Sequence, residues 1–166
     1  QPVFASLPLG VLTLSQAWPL GDPPEASRLS ALQAALASQL RAFYAETLPP
    51  HLAAAPRLVG TAGAVTTLAA MSLKMEVYDP QKINNLILPR VRVEQLADLV
   101  GRLPVAERAR LPGMEPAKAG VIVAGALIVL TILRVLEAES LVVIDAGLLE
   151  GVLQEMRGEF SVSRFS

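Results

Sequence analysis

Between Arg57 and Met71 a short aliphatic run, Leu58–Val59, meets two glycines, Gly60 and Gly63, and passes into an Ala/Leu/Thr segment of helical composition. No other stretch constrains the fold as tightly. A strand that turns within a few residues into a helix belongs to a layered α/β architecture. Such a turn aims the free N–H groups of the helix's first turn, with their partial positive charge, at one point where an anion is stabilised. Glycine matters there because a residue without a β-carbon lets the backbone bend sharply and approach a phosphate closely. Taken alone, the same spacing also fits a plain strand-to-helix connection with glycines for packing.

The rest of the chain supports the α/β reading. Leu141–Ile144 is a continuous apolar run, as expected of a central parallel strand covered on both faces. Val3–Leu14 alternates loosely and reads as a further strand, broken near Pro8–Gly10. Asp22 has the chemistry of an N-cap, with Pro23 at the first helical position and Glu25 at the third. Leu29, Leu32, Leu36, Leu40 and Phe43 then recur at helical spacing and form one stripe, which Pro49 and Pro50 end. Met75–Pro89 reads as a loop, Val91–Leu103 as a helix, and Val105–Leu111 as a short helix before the Pro112–Gly113 turn. A long helix is expected over Pro116–Ala138, and a last one from about Gly147.

Ala119–Leu133 is apolar throughout apart from Thr131, yet it is shorter than the roughly 20 residues that cross a bilayer. It reads as a helix buried on most sides, not as a membrane span. At 166 residues the chain fits one domain, 1–166, able to bury a real core. A net charge of −1 argues against a general nucleic-acid or anionic-membrane binder. The absence of cysteine excludes disulfides and thiolate metal sites, and suits a cytoplasmic protein.

Few side chains outside the glycine turn offer chemistry. Asp145 ends an apolar strand just before Gly147 and a helix, at the edge where α/β sheets place ligands. It either caps that helix or faces metal or water in a cleft. Glu150, one turn on, is a solvated surface charge or a cleft residue. Lys118 opens the long apolar helix, where the residues by themselves indicate a solvated lysine. His51 is the one histidine, so no histidine metal site and no Ser/His/Asp arrangement is credible.

Six segments fall in an order that resembles a known family. They are Ser6–Gly10 (SLPLG), Asp22–Pro24 (DPP), Val59–Gly63 (VGTAG), Tyr78–Pro80 (YDP), Val121–Ala126 (VIVAGA) and Asp145–Gly151 (DAGLLEG). Together they look like the C-terminal half of the exopolyphosphatase/guanosine pentaphosphate phosphatase (Ppx/GppA) family, part of the actin-like ATPase superfamily. The resemblance implies a ribonuclease H-like α/β domain: an incomplete mixed sheet flanked by helices, excised from a longer two-domain protein. It further implies that an N-terminal actin-like domain, with the first phosphate loop and the glutamate that activates water, lies outside this chain. The opening hairpin of the second domain, with the second phosphate loop, is likewise missing.

On this resemblance the whole protein is a phosphohydrolase acting on polyphosphate or guanosine pentaphosphate, with Mg²⁺ neutralising charge. The chain itself contributes a phosphate-facing wall built from Gly60, Thr61, Ala62, Gly63, Ala64 and Lys118, with Asp145, Gly147 and Glu150 at the cleft. It carries no catalytic residue and no metal site, and is expected to be inactive alone. Three segments depart from the family pattern. Ala64 replaces a hydroxyl-bearing residue, Asn84–Asn85 a His-Gly pair, and Leu149 an arginine. These losses favour an alternative of another class, a non-catalytic phosphate- or nucleotide-binding regulator on the same fold. Removal of the hairpin should also leave strand edges that drive homodimerisation, or should let Val3–Leu14 find a new pairing.

Overall fold

The structure, a computed structural model, describes residues 5–47 and 57–156. Three short strands form one mixed sheet in the order β1-β3-β2: β1 (Leu58–Gly60), β2 (Ile87–Pro89) and β3 (Ser140–Val143). β3 is central. It runs parallel to β1, with Leu58 opposite Leu141, and antiparallel to β2, with Leu88 opposite Leu141. Among the described residues eight α-helices surround the sheet: α1 (Val11–Ala17), α2 (Ala26–Thr47), α3 (Gly63–Ser72), α4 (Pro80–Ile83), α5 (Arg90–Arg102), α6 (Val105–Arg108), α7 (Ile122–Val135) and α8 (Leu148–Met156).

The core is organised around α7, against which α1, α2, α3 and α5 all pack. Ten of its residues, from Ile122 to Leu133, are buried, which accounts for a sequence with no polar face. No helix among the described residues is long and apolar enough to cross a membrane. Leu32, Leu36 and Leu40 of the α2 stripe are fully buried, with Leu29 and Phe43 at its partly covered ends. Burying a leucine removes about 1.5–3 kcal/mol of hydrophobic penalty relative to leaving it exposed, so this stripe alone accounts for several kcal/mol.

Several expectations need correction. Residues 5–14 contain no strand; Val11 onward is helix α1, and Leu14 is buried in the core. The reason lies in the spacing. Val11, Leu14 and Trp18 lie three and four residues apart, and Ser15 bonds back to the Val11 carbonyl at 2.7 Å, whereas Leu12, which alternation would place inside, is exposed. Hence there is no strand within residues 5–14 to find a new pairing. Val3, Phe4, Pro49, Pro50 and His51 lie outside the described residues.

Asp22 does not cap α2, which begins at Ala26. Pro24 disfavours the helical region for Pro23, so the helix cannot start there. The Asp22 carboxylate instead accepts the Val105 N–H at 2.8 Å and so ties this loop to the start of α6. The loop expected over Met75–Pro89 contains both α4 and β2. Asp79 caps α4 by accepting the Gln81 N–H at 3.0 Å, with Pro80 at its first position. The long helix expected over Pro116–Ala138 is divided. A single 3-10 turn, Pro116–Lys118, precedes α7, and Gly120 lies between them.

Candidate functional site

The glycine turn folds as its composition predicts, but the glycines act differently from expectation. Neither Gly60 nor Gly63 adopts positive φ; Ala62 between them does, at φ 76° and ψ 171°. An L-residue avoids this region, and holding one there costs on the order of 1–3 kcal/mol. Gly60 serves close approach of the turn to its neighbours. A β-carbon on it would lie 3.0 Å from a Val65 methyl and 3.1 Å from Leu141 Cδ1. Thr61 ties the turn to the segment that follows the neighbouring strand β3 by donating its hydroxyl to the Ala146 carbonyl at 2.6 Å.

Beyond the turn, the first N–H of α3 with a helical acceptor is that of Thr66, bonded to the Ala62 carbonyl at 3.2 Å. The N–H groups of Gly63, Ala64 and Val65 precede it and have no intrahelical partner. Thr61, Ala62 and Gly63 are exposed. Lys118 projects over this point: its Nζ is 3.7 Å from where a Gly63 β-carbon would stand. The free end of a helix dipole and an ammonium group thus converge on one place, which favours an anion. Glu115 is the internal counter-charge, its carboxylate 2.6 Å from Lys118 Nζ.

A cavity of about 890 Å³ opens beside the turn. Ala62, Gly63, Thr66, Tyr78, Lys118 and Asp145 line it, with Glu76, Arg110 and Glu115. Tyr78 and Asp145 close one side, the tyrosine hydroxyl donating to Asp145 Oδ2 at 2.8 Å. Burial, and then this bond, raise the Tyr78 pKa. Asp145 is itself held by Asn84, whose side-chain oxygen accepts the Asp145 N–H at 2.7 Å. Asn85, at φ 65°, donates its N–H to the Val143 carbonyl at 2.8 Å. The asparagine pair therefore joins the α4–β2 connection to the end of β3.

The proposed wall is only partly assembled as expected. Thr61, Ala62, Gly63 and Lys118 come together, and Asp145 faces the same cavity. Ala64 instead turns its methyl toward Gly125 on α7, away from the cavity, so a hydroxyl here would not face an anion. Gly147 and Glu150 pair with each other: the Gly147 N–H donates to Glu150 Oε2 at 2.7 Å, and this bond holds the Glu150 pKa below the ordinary value. That is a helix-start contact resembling a capping box, and neither residue lines the cavity. Leu149 lies within α8. Tyr78, Thr66 and Arg110 were not singled out by sequence reasoning. Tyr78 stood inside a quoted motif, but nothing in its spacing revealed that its partner was 67 residues away.

Among the described residues, no group of three His, Cys, Asp or Glu side chains is placed to hold a metal ion. Asp145 offers one carboxylate, already engaged by Tyr78. The described residues therefore do not form a Mg²⁺ cage of their own.

The sequence matches the model of the Ppx/GppA phosphatase family over residues 3–160, and the chain belongs to that family. Exopolyphosphatase 2 of Mycobacterium tuberculosis is 27% identical over 157 residues, covering 92% of this chain and 48% of that protein. Exopolyphosphatase 1 of Mycobacterium leprae is 32% identical over 154 residues, covering 91% and 44%. A crystal structure of the Aquifex aeolicus Ppx/GppA phosphatase superposes with a TM-score of 0.81 at 32% identity, over 91% of this chain and 48% of that one. The chain thus spans about half the length of the relatives it matches, and its fold is that of the family's actin-like domain.

Proposed function

We propose that this chain forms the phosphate-facing wall of a phosphohydrolase that acts on polyphosphate or a guanosine polyphosphate. The observation that carries the reading is the convergence of Lys118 Nζ with the acceptor-free N–H groups at the start of α3. Backbone donors and a point charge suit a chain of phosphates because they read charge and oxygen spacing, not a particular base or sugar. The relation to proteins named exopolyphosphatases supports the substrate class.

The charges around the cavity bound what this wall can do. Glu76, Glu115 and Asp145 oppose Arg110 and Lys118, so its side chains offer a polyanion no net attraction. Turnover therefore depends on what lies opposite: a base to activate water, and divalent cations carried with the phosphates. The chain's own residues bind and orient a terminal phosphate. The reading includes Mg²⁺ for the complete protein, an N-terminal actin-like domain as partner, and a cytoplasmic setting.

The decisive experiment uses the 166-residue chain with tripolyphosphate. Amide resonances of Gly63, Ala64 and Val65 should shift together on titration, with no phosphate released. Shifts confined to Arg102 or Arg110 would reject the turn as the site. Hydrolysis abolished by Asp145→Asn would reject the assignment of this chain as a non-catalytic wall.

A second reading, a non-catalytic regulator, rests on the Glu115–Lys118 pair, since a lysine already held at 2.6 Å binds anions weakly. Phosphate release from polyphosphate by the full-length protein with Mg²⁺ separates the two.

Homodimerisation belongs to the same proposal. β1 pairs only with β3 among the described residues, and Val59 on it is 66% exposed. Such an edge accepts another strand.

A further inference from the structure

Arg108 sits at the end of α6 with its side chain only 3% exposed. Arginine keeps its charge in proteins, so burying it requires partners. It has few. Nη2 is 3.4 Å from Asp22 Oδ1, on a carboxylate that is itself half-exposed, and Nε is buried without an acceptor among the described residues. The short, well-formed contact is Nη1 donating to the Ala119 carbonyl at 2.8 Å. Ala119 is fully buried and immediately follows Lys118.

The turn that carries Lys118 is closed by its own backbone, Lys118 N–H to Glu115 at 2.8 Å and Val121 N–H to Lys118 at 3.0 Å. Those bonds set its shape but do not fix where it sits relative to α3. Ala119 packs into the core and seats the turn from one side, whereas on the Gly120 side a β-carbon would meet no atom within 4 Å. The Arg108 hydrogen bond to the Ala119 carbonyl adds a directional polar anchor from α6.

We infer that Arg108 is a positioning residue for anion binding: through the Ala119 carbonyl it holds the Pro116–Lys118 turn so that Lys118 Nζ stays over the start of α3. The inference rests on the phosphate reading of that site. A charge-assisted bond from Lys118 to phosphate requires the two within about 3 Å, and a displacement of about 1 Å forfeits most of it.

The test is a double-mutant cycle on the 166-residue chain, with pyrophosphate as the probe and calorimetric affinity as the readout. Lys118→Met should weaken binding about tenfold, the worth of one hydrogen bond to a charged group. Arg108→Met should weaken it comparably, and the double variant should bind no more weakly than Lys118→Met alone, because both act through one ammonium. Should Arg108→Met fail to fold, Arg108→Gln takes its place; it keeps a polar side chain but is too short to reach the Ala119 carbonyl, so affinity falls only in the presence of Lys118. Losses that simply add would make Arg108 a general structural brace and overturn the inference while leaving the phosphate reading standing. Unchanged affinity in Lys118→Met would sink the phosphate reading itself, and the inference with it.

Discussion

Gly125 of α7 faces Ala64 of α3 so closely that a β-carbon on the glycine would lie 2.8 Å from the alanine methyl and 3.4 Å from Val11 Cγ1. Three helices, α1, α3 and α7, meet at this point, and the absence of bulk on two of them sets their spacing. Ala64 is therefore a packing residue, and its lack of a hydroxyl reflects contact with α7.

Gly125→Ala should accordingly destabilise the chain by about 1–3 kcal/mol, the usual cost of overpacking a tight contact. Ala64→Thr, which places a hydroxyl at this position, should also lose stability and gain no affinity for phosphate. Urea unfolding and a tripolyphosphate titration of the same variant give both numbers. A gain in affinity would mean that this side chain reaches the cavity after all.

Ala62→Gly should act in the opposite direction. Relief of its backbone conformation recovers about 1–3 kcal/mol, whereas the extra freedom of glycine in the unfolded chain costs about 0.4–1 kcal/mol. Strain outweighs entropy, so a net gain of about 1 kcal/mol is expected in the free energy of unfolding, read from urea denaturation. A loss of stability would show that Ala62 is not strained.

Gly113→Ala is the severe case. Gly113 has φ 82°, and a β-carbon there would fall inside the backbone of Ala70 and Met71, which cannot yield as a side chain can. The Pro112–Gly113 turn forms the cavity's far wall, so the substitution should both cost about 3 kcal/mol or more and displace that wall. Circular dichroism on heating would show the fall in midpoint, and an unchanged midpoint would remove the close approach from the account.

Alkaline pH should weaken the Tyr78–Asp145 closure. The folded pKa of Tyr78 is raised, so its contribution to stability is complete below the ordinary value of 10.0 and is lost as pH rises through the folded value. Tyr44 is raised by burial as well and contributes in the same sense. Stability profiles across this range should flatten partly in Tyr78→Phe and partly in Tyr44→Phe. A Tyr78→Phe profile identical to the parent's would show that the closure contributes nothing.

Much of this organisation was legible beforehand, and the exceptions have physical causes. The β1–α3 passage and the central position of β3 were readable because a glycine turn and an unbroken apolar strand are local signals. β2 was not, because in Ile87–Pro89 only Leu88 is buried, and three residues ending in proline are too short for a period to appear. α1 was misread because a seven-residue amphipathic helix and a loosely alternating strand share their apolar positions. For the candidate wall, the sequence itself pointed to Gly63. Its neighbour Lys118 followed from family resemblance, and Tyr78 and Arg108 escaped because their partners are set by tertiary folding.

The Gly60–Ala64 turn separates two depressions. On one side lies the polar cavity; on the other, a groove of about 560 Å³ runs along the open edge of β1 over Val11, Ile128 and Ile132. Lys118, Ala62 and Gly63 border both. The turn is a shared partition wall, and an occupant of either chamber leans on the same few peptide units. By reciprocity, whatever factor a chain seated in the groove imposes on phosphate affinity, phosphate returns in equal measure to that chain's own hold on the groove.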